Sequence, residues 1–170
     1  MERKTQTGYL MLADISGYTS FVARTEIEHA ETAISMLLEA IIEKLDDMLT
    51  IVKLEGDAVF AYIPEDQLPN GDALLELIDN TYLTFRNSAA AMYSQATCPC
   101  RACQAIPTLD LKFMVHHGDY IVQQVAGIKD LLGNDVTLIH RLAKNQVSES
   151  TGWRGYALFY KSRPGAHASR

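Results

Sequence analysis

The sequence lacks the features that mark several large classes of protein. Its first apolar run, residues 9–13, is far too short for a transmembrane helix or the core of a secretion signal. No window concentrates lysine and arginine, and the net charge is −6, so the chain has no electrostatic footprint for nucleic acid or an anionic membrane. These absences predict a cytoplasmic protein that binds neither nucleic acid nor membrane.

Cysteine is also scarce, and its three copies lie together at Cys98, Cys100 and Cys103. An odd, clustered set does not suit the disulfide framework of a small secreted domain, and it fits a reducing compartment. The three thiols provide most of a tetrahedral zinc site, with a fourth ligand from His116, His117 or a dimer partner. The alternative is a loop of ordinary or redox-sensitive thiols.

The composition that is present indicates one folded domain over residues 1–170. The chain is 48% hydrophobic, which is enough for a single core, and it contains no repeat, low-complexity tract or linker. Its apolar residues follow strand and helix periods in turn. They predict strands at residues 9–13, 50–53, 58–62, 109–117, 120–125 and 156–160, and helices at residues 28–49, 72–92 and 136–146.

This order of elements predicts a two-layer α/β (α+β) sandwich. Residues 109–117 and 120–125 are expected to pair as a hairpin, and Asp72 is expected to cap the second long helix. Residues 96–107, which carry the three cysteines, read as an irregular loop inserted between helix and strand.

Two aspartates stand at the ends of predicted strands. Asp14 closes the first strand, and Asp57 lies in the turn between the second and third. If those strands are neighbours, the two carboxylates converge and can hold metal ions ~4 Å apart, as phosphoryl-transfer sites do. Residues 15–19 then lead into a helical stretch, where backbone N–H groups are natural phosphate donors and Gly17 permits close approach. Taken singly, each aspartate is more often only a turn residue.

Four segments together resemble the class III adenylate and guanylate cyclases. Residues 13–19 (ADISGYT) and 53–61 (KLEGDAVFA) resemble the two metal-binding signatures of that family. Residues 115–118 with 125–127 resemble the hairpin that follows, and residues 130–142 (DLLGNDVTLIHRL) resemble the nucleotide-binding segment. The resemblance implies a ferredoxin-like βαββαβ core with a mainly antiparallel sheet, active as a homodimer.

The resemblance also implies roles for single residues. Asp14, Asp57 and the Ile15 carbonyl would hold two Mg²⁺ or Mn²⁺ ions, with Gly17 and Thr19 near the phosphates. Lys53 and Asp130 match the pair that reads the base, and a lysine with a carboxylate suits adenine better than guanine, so ATP is expected rather than GTP.

The match is incomplete at the catalytic end. Arg141 matches the arginine that stabilises phosphate charge, but Thr137 stands where the family has a ribose-orienting asparagine. Residues 146–170 lack the lysine-rich strand of the family, for which Lys144, Arg154 or Lys161 are candidate substitutes. The cysteine cluster is a further departure, one that resembles a bacterial group of short cyclase-homology proteins.

Three functions therefore remain open at this level. One is an adenylate cyclase that forms cyclic AMP and pyrophosphate. Another is a cyclase-fold module that binds a nucleotide or other ligand with little or no turnover, because loss of such polar contacts costs ~10²–10³ in rate. A third expectation is a zinc- or redox-responsive partner that acts through the cysteine loop.

Overall fold

A computed structural model describes residues 4–161 of the chain. The ends of the predicted single domain, residues 1–3 and 162–170, lie outside the described residues. The strands are β1 (Gln6–Ser16), β2 (Thr50–Glu55), β3 (Ala58–Pro64), β4 (Asp110–Val125), β5 (Ile128–Leu132) and β6 (Tyr156–Lys161). The helices are α1 (Tyr18–Arg24), α2 (Ile27–Leu45), α3 (Gly71–Gln95), α4 (Arg101–Ala105), α5 (Asn134–Leu142) and α6 (Val147–Thr151).

The strands form one mixed sheet in the order β2-β3-β1-β4-β5, with β6 added in parallel against β4. All other pairings are antiparallel. The predicted fold class, an α/β sandwich with a mainly antiparallel sheet, is confirmed. None of the helices within residues 4–161 is long and apolar enough to span a membrane.

Both faces of the sheet are covered. The amphipathic helices α2 and α3 bury their apolar stripes against one face, where Leu37, Ile41 and Phe85 are fully enclosed. The opposite face carries a smaller cluster in which Leu10, Phe60 and other strand residues pack beneath α5. Since strand side chains alternate between faces, β1 contributes to both clusters.

The predicted hairpin between residues 109–117 and 120–125 is wrong, because β4 runs unbroken through both segments. Gly118, expected at the turn, pairs with Gly8 of β1. A Cβ at Gly118 would lie 2.3 Å from Cγ of Asp135, so glycine is needed here for close packing of α5 rather than for a turn. The true turn is Ala126–Gly127, where φ is 51° and 84°, and it leads into β5.

A β-bulge interrupts the pairing of β2 with β3. Ile51 lies opposite Ala61, yet Lys53 lies opposite Phe60, so Val52 is an extra residue on β2. A bulge of this kind changes which face the following side chains take. Ile51 packs into the core beneath α2, while Val52 packs with the cluster beneath α5.

Three predicted boundaries also change. The N-cap of α3 is Asn70, whose Oδ1 accepts a hydrogen bond from the Ala73 N–H at 2.8 Å, and not Asp72. The helix predicted at residues 136–146 ends earlier, as α5 stops at Leu142, and the separate short helix α6 begins only at Val147. Residues 96–107, predicted as irregular, contain α4.

Candidate functional site

The two aspartates at the strand ends meet. Asp14, near the end of β1, is in register with Ala58, the first residue of β3, and the Ile15 N–H donates to the Asp57 carbonyl at 3.1 Å. Burial and the adjacent Asp14 carboxylate raise the pKa of Asp57 to about 7. The predicted convergence of these carboxylates is therefore present in the fold, and their mutual repulsion favours a cation between them.

A lysine that sequence reasoning missed faces the same position. Lys112 of β4 is in register with Asp14, and its Nζ lies 3.2 Å from Asp14 Oδ2. Both side chains are about four-fifths buried. No local sequence pattern indicates this role of Lys112, because the contact with Asp14 depends on the β1–β4 register. Lys112 partly neutralises the carboxylate pair and would compete with a metal ion for Asp14.

The segment after Asp14 forms a left-handed turn into α1. Gly17 has φ 90° and its carbonyl accepts from the Phe21 N–H at 2.9 Å, so it begins the helix as expected. Thr19 is exposed on the first turn, and the Ile15 side chain is buried. The backbone of this turn thus lies beside the aspartates.

Lys53 and Asp130 form an ion pair between β2 and β5. The Lys53 Nζ lies 3.0 Å from Asp130 Oδ2, while Asp130 Oδ1 accepts from the Leu131 N–H at 2.8 Å. Partial burial works to raise the pKa of Asp130, but these donors and the lysine charge lower it on balance. The structure therefore brings together the two side chains that were expected to contact one base.

Two further residues extend this pair into a chain of four. Glu55 Oε1 lies 3.2 Å from Lys53 Nζ, and Glu55 also accepts from His140 Nε2 at 2.8 Å. His140 Nδ1 bonds to the Val136 carbonyl within α5. Glu55 and His140 were not predicted, because neither belongs to a matched functional position. Their contacts fix the Lys53 side chain against α5.

Thr137 and Arg141 lie one turn apart on α5, and both are exposed. Thr137 Oγ1 is 3.4 Å from the Gly133 carbonyl. Within residues 4–161 the Arg141 guanidinium has no hydrogen-bond or ion-pair partner. The structure does not bring these two residues to the aspartates of the same chain, and residues at this spacing share one helix face.

The three cysteines gather around His29 of α2, not around a strand histidine. His116, an expected fourth ligand, is fully buried and bonded to Asp135 Oδ1 at 2.7 Å. His117, the other, lies 3.2 Å from Glu65 Oε1. Neither histidine belongs to the cysteine cluster, because that segment comes before β4 and packs on α2, whereas both histidines lie well inside β4 beside other partners.

A family model matches residues 34–151, and its description is "Protein of unknown function (DUF2652)". The chain belongs to this family. One curated relative is the uncharacterized protein Rv2561/Rv2562 of Mycobacterium tuberculosis (strain ATCC 25618 / H37Rv), 32% identical over 119 residues. That match covers 68% of this DUF2652 chain and 53% of the relative, so the chain spans about half the length of that protein.

Solved structures with the same fold are nucleotidyl cyclases. The adenylyl cyclase CyaB from P. aeruginosa superposes with a TM-score of 0.68 at 17% identity, covering 85% of this chain and 74% of that one. The guanylyl cyclase Cya2 gives a TM-score of 0.68 at 15% identity, with 85% and 72% covered. A bacterial light-regulated adenylyl cyclase gives 0.68 at 15% identity, with 92% and 44% covered. These identities establish a cyclase-like fold and nothing finer.

Proposed function

We propose that this DUF2652 chain is a class III nucleotidyl cyclase-like protein that converts ATP into cyclic AMP and pyrophosphate at a homodimer interface. The observation that carries the proposal is the occurrence of two separate half-sites in one chain. Asp14 and Asp57 form one, and the Lys53–Asp130 pair forms the other. In a two-fold dimer, each half-site of one subunit can face the complementary half-site of its partner.

The aspartate half-site fits divalent metal ions. It offers hard carboxylate oxygens at a partly buried point where two like charges adjoin, and Lys112 supplies only one positive charge in compensation. Mg²⁺ or Mn²⁺ ions bound by Asp14, Asp57 and the Ile15 carbonyl would supply charge to the triphosphate and acidify the ribose 3′-hydroxyl. The Gly17 turn and Thr19 place backbone and hydroxyl donors beside the phosphates.

The lysine half-site would select the base. The Lys53 ammonium donates to a ring nitrogen of adenine, and the Asp130 carboxylate accepts from the exocyclic amine. Guanine carries a carbonyl and a ring N–H at the corresponding edge, which leaves both groups mismatched, so ATP is preferred to GTP. Glu55 and His140 hold Lys53 in position for this contact.

The exposed face of α5 completes the proposed mechanism. Arg141, which has a fixed charge and no partner within residues 4–161, would stabilise charge on the phosphates across the interface. Thr137 would position the ribose. The 3′-oxygen attacks the α-phosphorus, the bond to the β-phosphate oxygen breaks, and the 3′-hydroxyl proton leaves to solvent with pyrophosphate as the other product.

A second candidate is a nucleotide-binding regulatory module with little or no turnover. The Lys112–Asp14 ion pair favours it, because an ammonium 3.2 Å from a ligand carboxylate opposes metal binding. Thr137 in place of a longer amide side chain favours it as well.

The test is incubation of the purified chain with ATP, or with GTP, and Mn²⁺, followed by chromatographic detection of cyclic nucleotide. We expect cyclic AMP from the parent chain, loss of product in Asp57→Asn, and no loss in the exposed control Asp47→Asn. Lys53→Ala should reduce the conversion of ATP more than that of GTP. Lys129→Ala, a change beside Asp130 on β5, should have no such effect. ATP binding without any product would support the regulatory module, and absence of binding would contradict both functions.

A further inference from the structure

A cluster of metal-ligating side chains lies outside the proposed nucleotide site, where α2 meets the segment before β4. The His29 Nδ1 is 3.0 Å from Cys100 Sγ and 3.9 Å from Cys103 Sγ. Together with Cys98 Sγ, these four atoms all lie within 4.8 Å of one another. Ligand atoms around a tetrahedral zinc ion are separated by roughly 3.5–3.8 Å, given the usual zinc–sulfur and zinc–nitrogen bonds.

The segment is held in this place by contacts that need no metal. Glu26, three residues before His29, accepts from the Ala102 N–H at 3.1 Å and from Arg101 Nε at 3.3 Å. Ala102 itself is fully buried. Because Glu26 is the N-cap of α2 and His29 lies in the first turn of that helix, the contact of Glu26 with α4 also places His29 beside the cysteines.

The local turn resembles the thiolate loops that enclose metal ions. Cys100 caps α4, and its Sγ accepts from the Cys103 N–H at 3.4 Å. Backbone N–H groups aimed at sulfur stabilise thiolates, and their orientation is kept when a metal binds. All three cysteines are free and partly accessible, so they are available as ligands.

We propose that His29, Cys98, Cys100 and Cys103 bind one zinc ion in a closed tetrahedral site. Three thiolates and one imidazole are the donor set of structural zinc centres, and soft sulfur ligands exclude magnesium and calcium. Four protein ligands leave no open position for water or substrate, so the site is structural rather than catalytic.

Zinc would tie the segment between α3 and β4 to the first turns of α2. In the same region α4 packs against both α1 and α2, and Gly17 approaches the Thr108 carbonyl. The zinc centre therefore stabilises α4, against which α1 packs. The first turn of α1 begins beside Asp14. This site stands independently of cyclase activity, because none of its ligands belongs to either half-site.

The experiment measures metal content of the full chain, purified with reductant and without chelator or added nucleotide. Elemental analysis should find about one zinc per chain. Replacement of zinc by cobalt should give the visible d–d bands and thiolate charge-transfer absorption of a tetrahedral, sulfur-rich site. His29→Ala, Cys100→Ser and Cys103→Ser should each lose the metal, while His117→Ala, a change at a β4 histidine outside the cluster, should retain it.

Chelation of the unmodified chain covers the case in which variants fail to fold. Removing zinc should lower the Tm, and adding zinc but not magnesium should restore it. Less than about a tenth of an equivalent of zinc together with no cobalt spectrum would overturn the inference. A disulfide found by mass in freshly reduced and desalted protein, or full zinc retention in His29→Ala, would overturn it as well. A zinc-bound chain that makes no cyclic AMP would leave this inference intact and remove only the cyclase proposal.

Discussion

His116 occupies the point where β4, β6 and α5 meet, and it is fully buried there. Its Nδ1 lies 3.0 Å from the Tyr160 carbonyl, which can only accept, so this nitrogen carries a proton. Its Nε2 bonds to Asp135, whose second oxygen accepts from the Asp119 N–H at 2.8 Å. One imidazole thus joins three elements that the sequence separates.

Replacing His116 by alanine should destabilise the fold by about 3 kcal/mol, because it breaks a buried charged hydrogen bond and leaves a cavity. His117→Ala, next to it on the other face, should cost less than about 1 kcal/mol, since its carboxylate partner is exposed. Urea unfolding of both variants checks the difference. Equal losses in the free energy of unfolding would show that the buried His116–Asp135 pair stabilises the fold no more than the His117–Glu65 pair does.

Asp14 and Asp57 could be placed from the predicted strand ends, whereas Lys53 and Asp130 were assigned through the resemblance to the cyclase family, because they lie on β2 and β5, 77 residues apart. Lys112 and His140 could not, because their partners are set by sheet register and helix packing. His29 is 71 residues from Cys100, and no local pattern connects them. The residues that were missed are those whose partners neither the predicted strand ends nor the family resemblance indicates.

At the scale of the element, the N-terminus of α3 shows which residue caps the helix. Asn70 has the extended backbone of an N-cap and its side chain accepts a helix N–H, whereas Asp72 lies inside the first turn. Asp72 was predicted as the cap because aspartate is a good N-cap residue, but asparagine is equally good and lies two positions earlier.

Asn70→Ala should therefore lower stability by about 1 kcal/mol through loss of the cap. Asp72→Ala should cost no more than about 0.5 kcal/mol, since only its charge near the helix start is lost. Thermal unfolding followed by circular dichroism compares the two. A larger effect at Asp72 would contradict the cap assigned by the structure.

The strand β4 shows why element boundaries resist prediction. A Gly-Asp pair between apolar runs is the usual sign of a turn, yet here the glycine makes room for Asp135. The helices α2 and α3 were placed within a few residues because their apolar stripes repeat over many turns. The types of the predicted segments followed from local periodicity, whereas β5 was not predicted, and the continuity of β4 through Gly118 depends on packing across the sheet.

At the scale of the whole molecule, the proposed dimer divides each catalytic site between two chains. Asp57 would act from one subunit and Arg141 from its partner. A homodimer of chains that lack either residue has no complete site. A mixed dimer of the two variant chains retains one complete site.

Mixing Asp57→Asn with Arg141→Ala should restore about a quarter of the parent activity, since half of the dimers are mixed and each has one intact site. The matched control mixes Asp14→Asn with Asp57→Asn, which damage the same half-site and should give no recovery. Cyclic AMP formation after subunit exchange is the measurement. Failure of the first mixture, with dimers demonstrated by ultracentrifugation, would place both residues in one chain.

Within the stretch where β2 pairs with β3, the bulge at Val52 gives β2 one residue more than its partner. The hairpin turn sets the positions of Lys53 and Glu55 from one end, and the end of α2 sets Ile51 from the other. The extra residue takes up the mismatch between these two constraints. We therefore expect changes in the length or tilt of α2 to be absorbed at Val52 before they reach the Lys53–Asp130 pair.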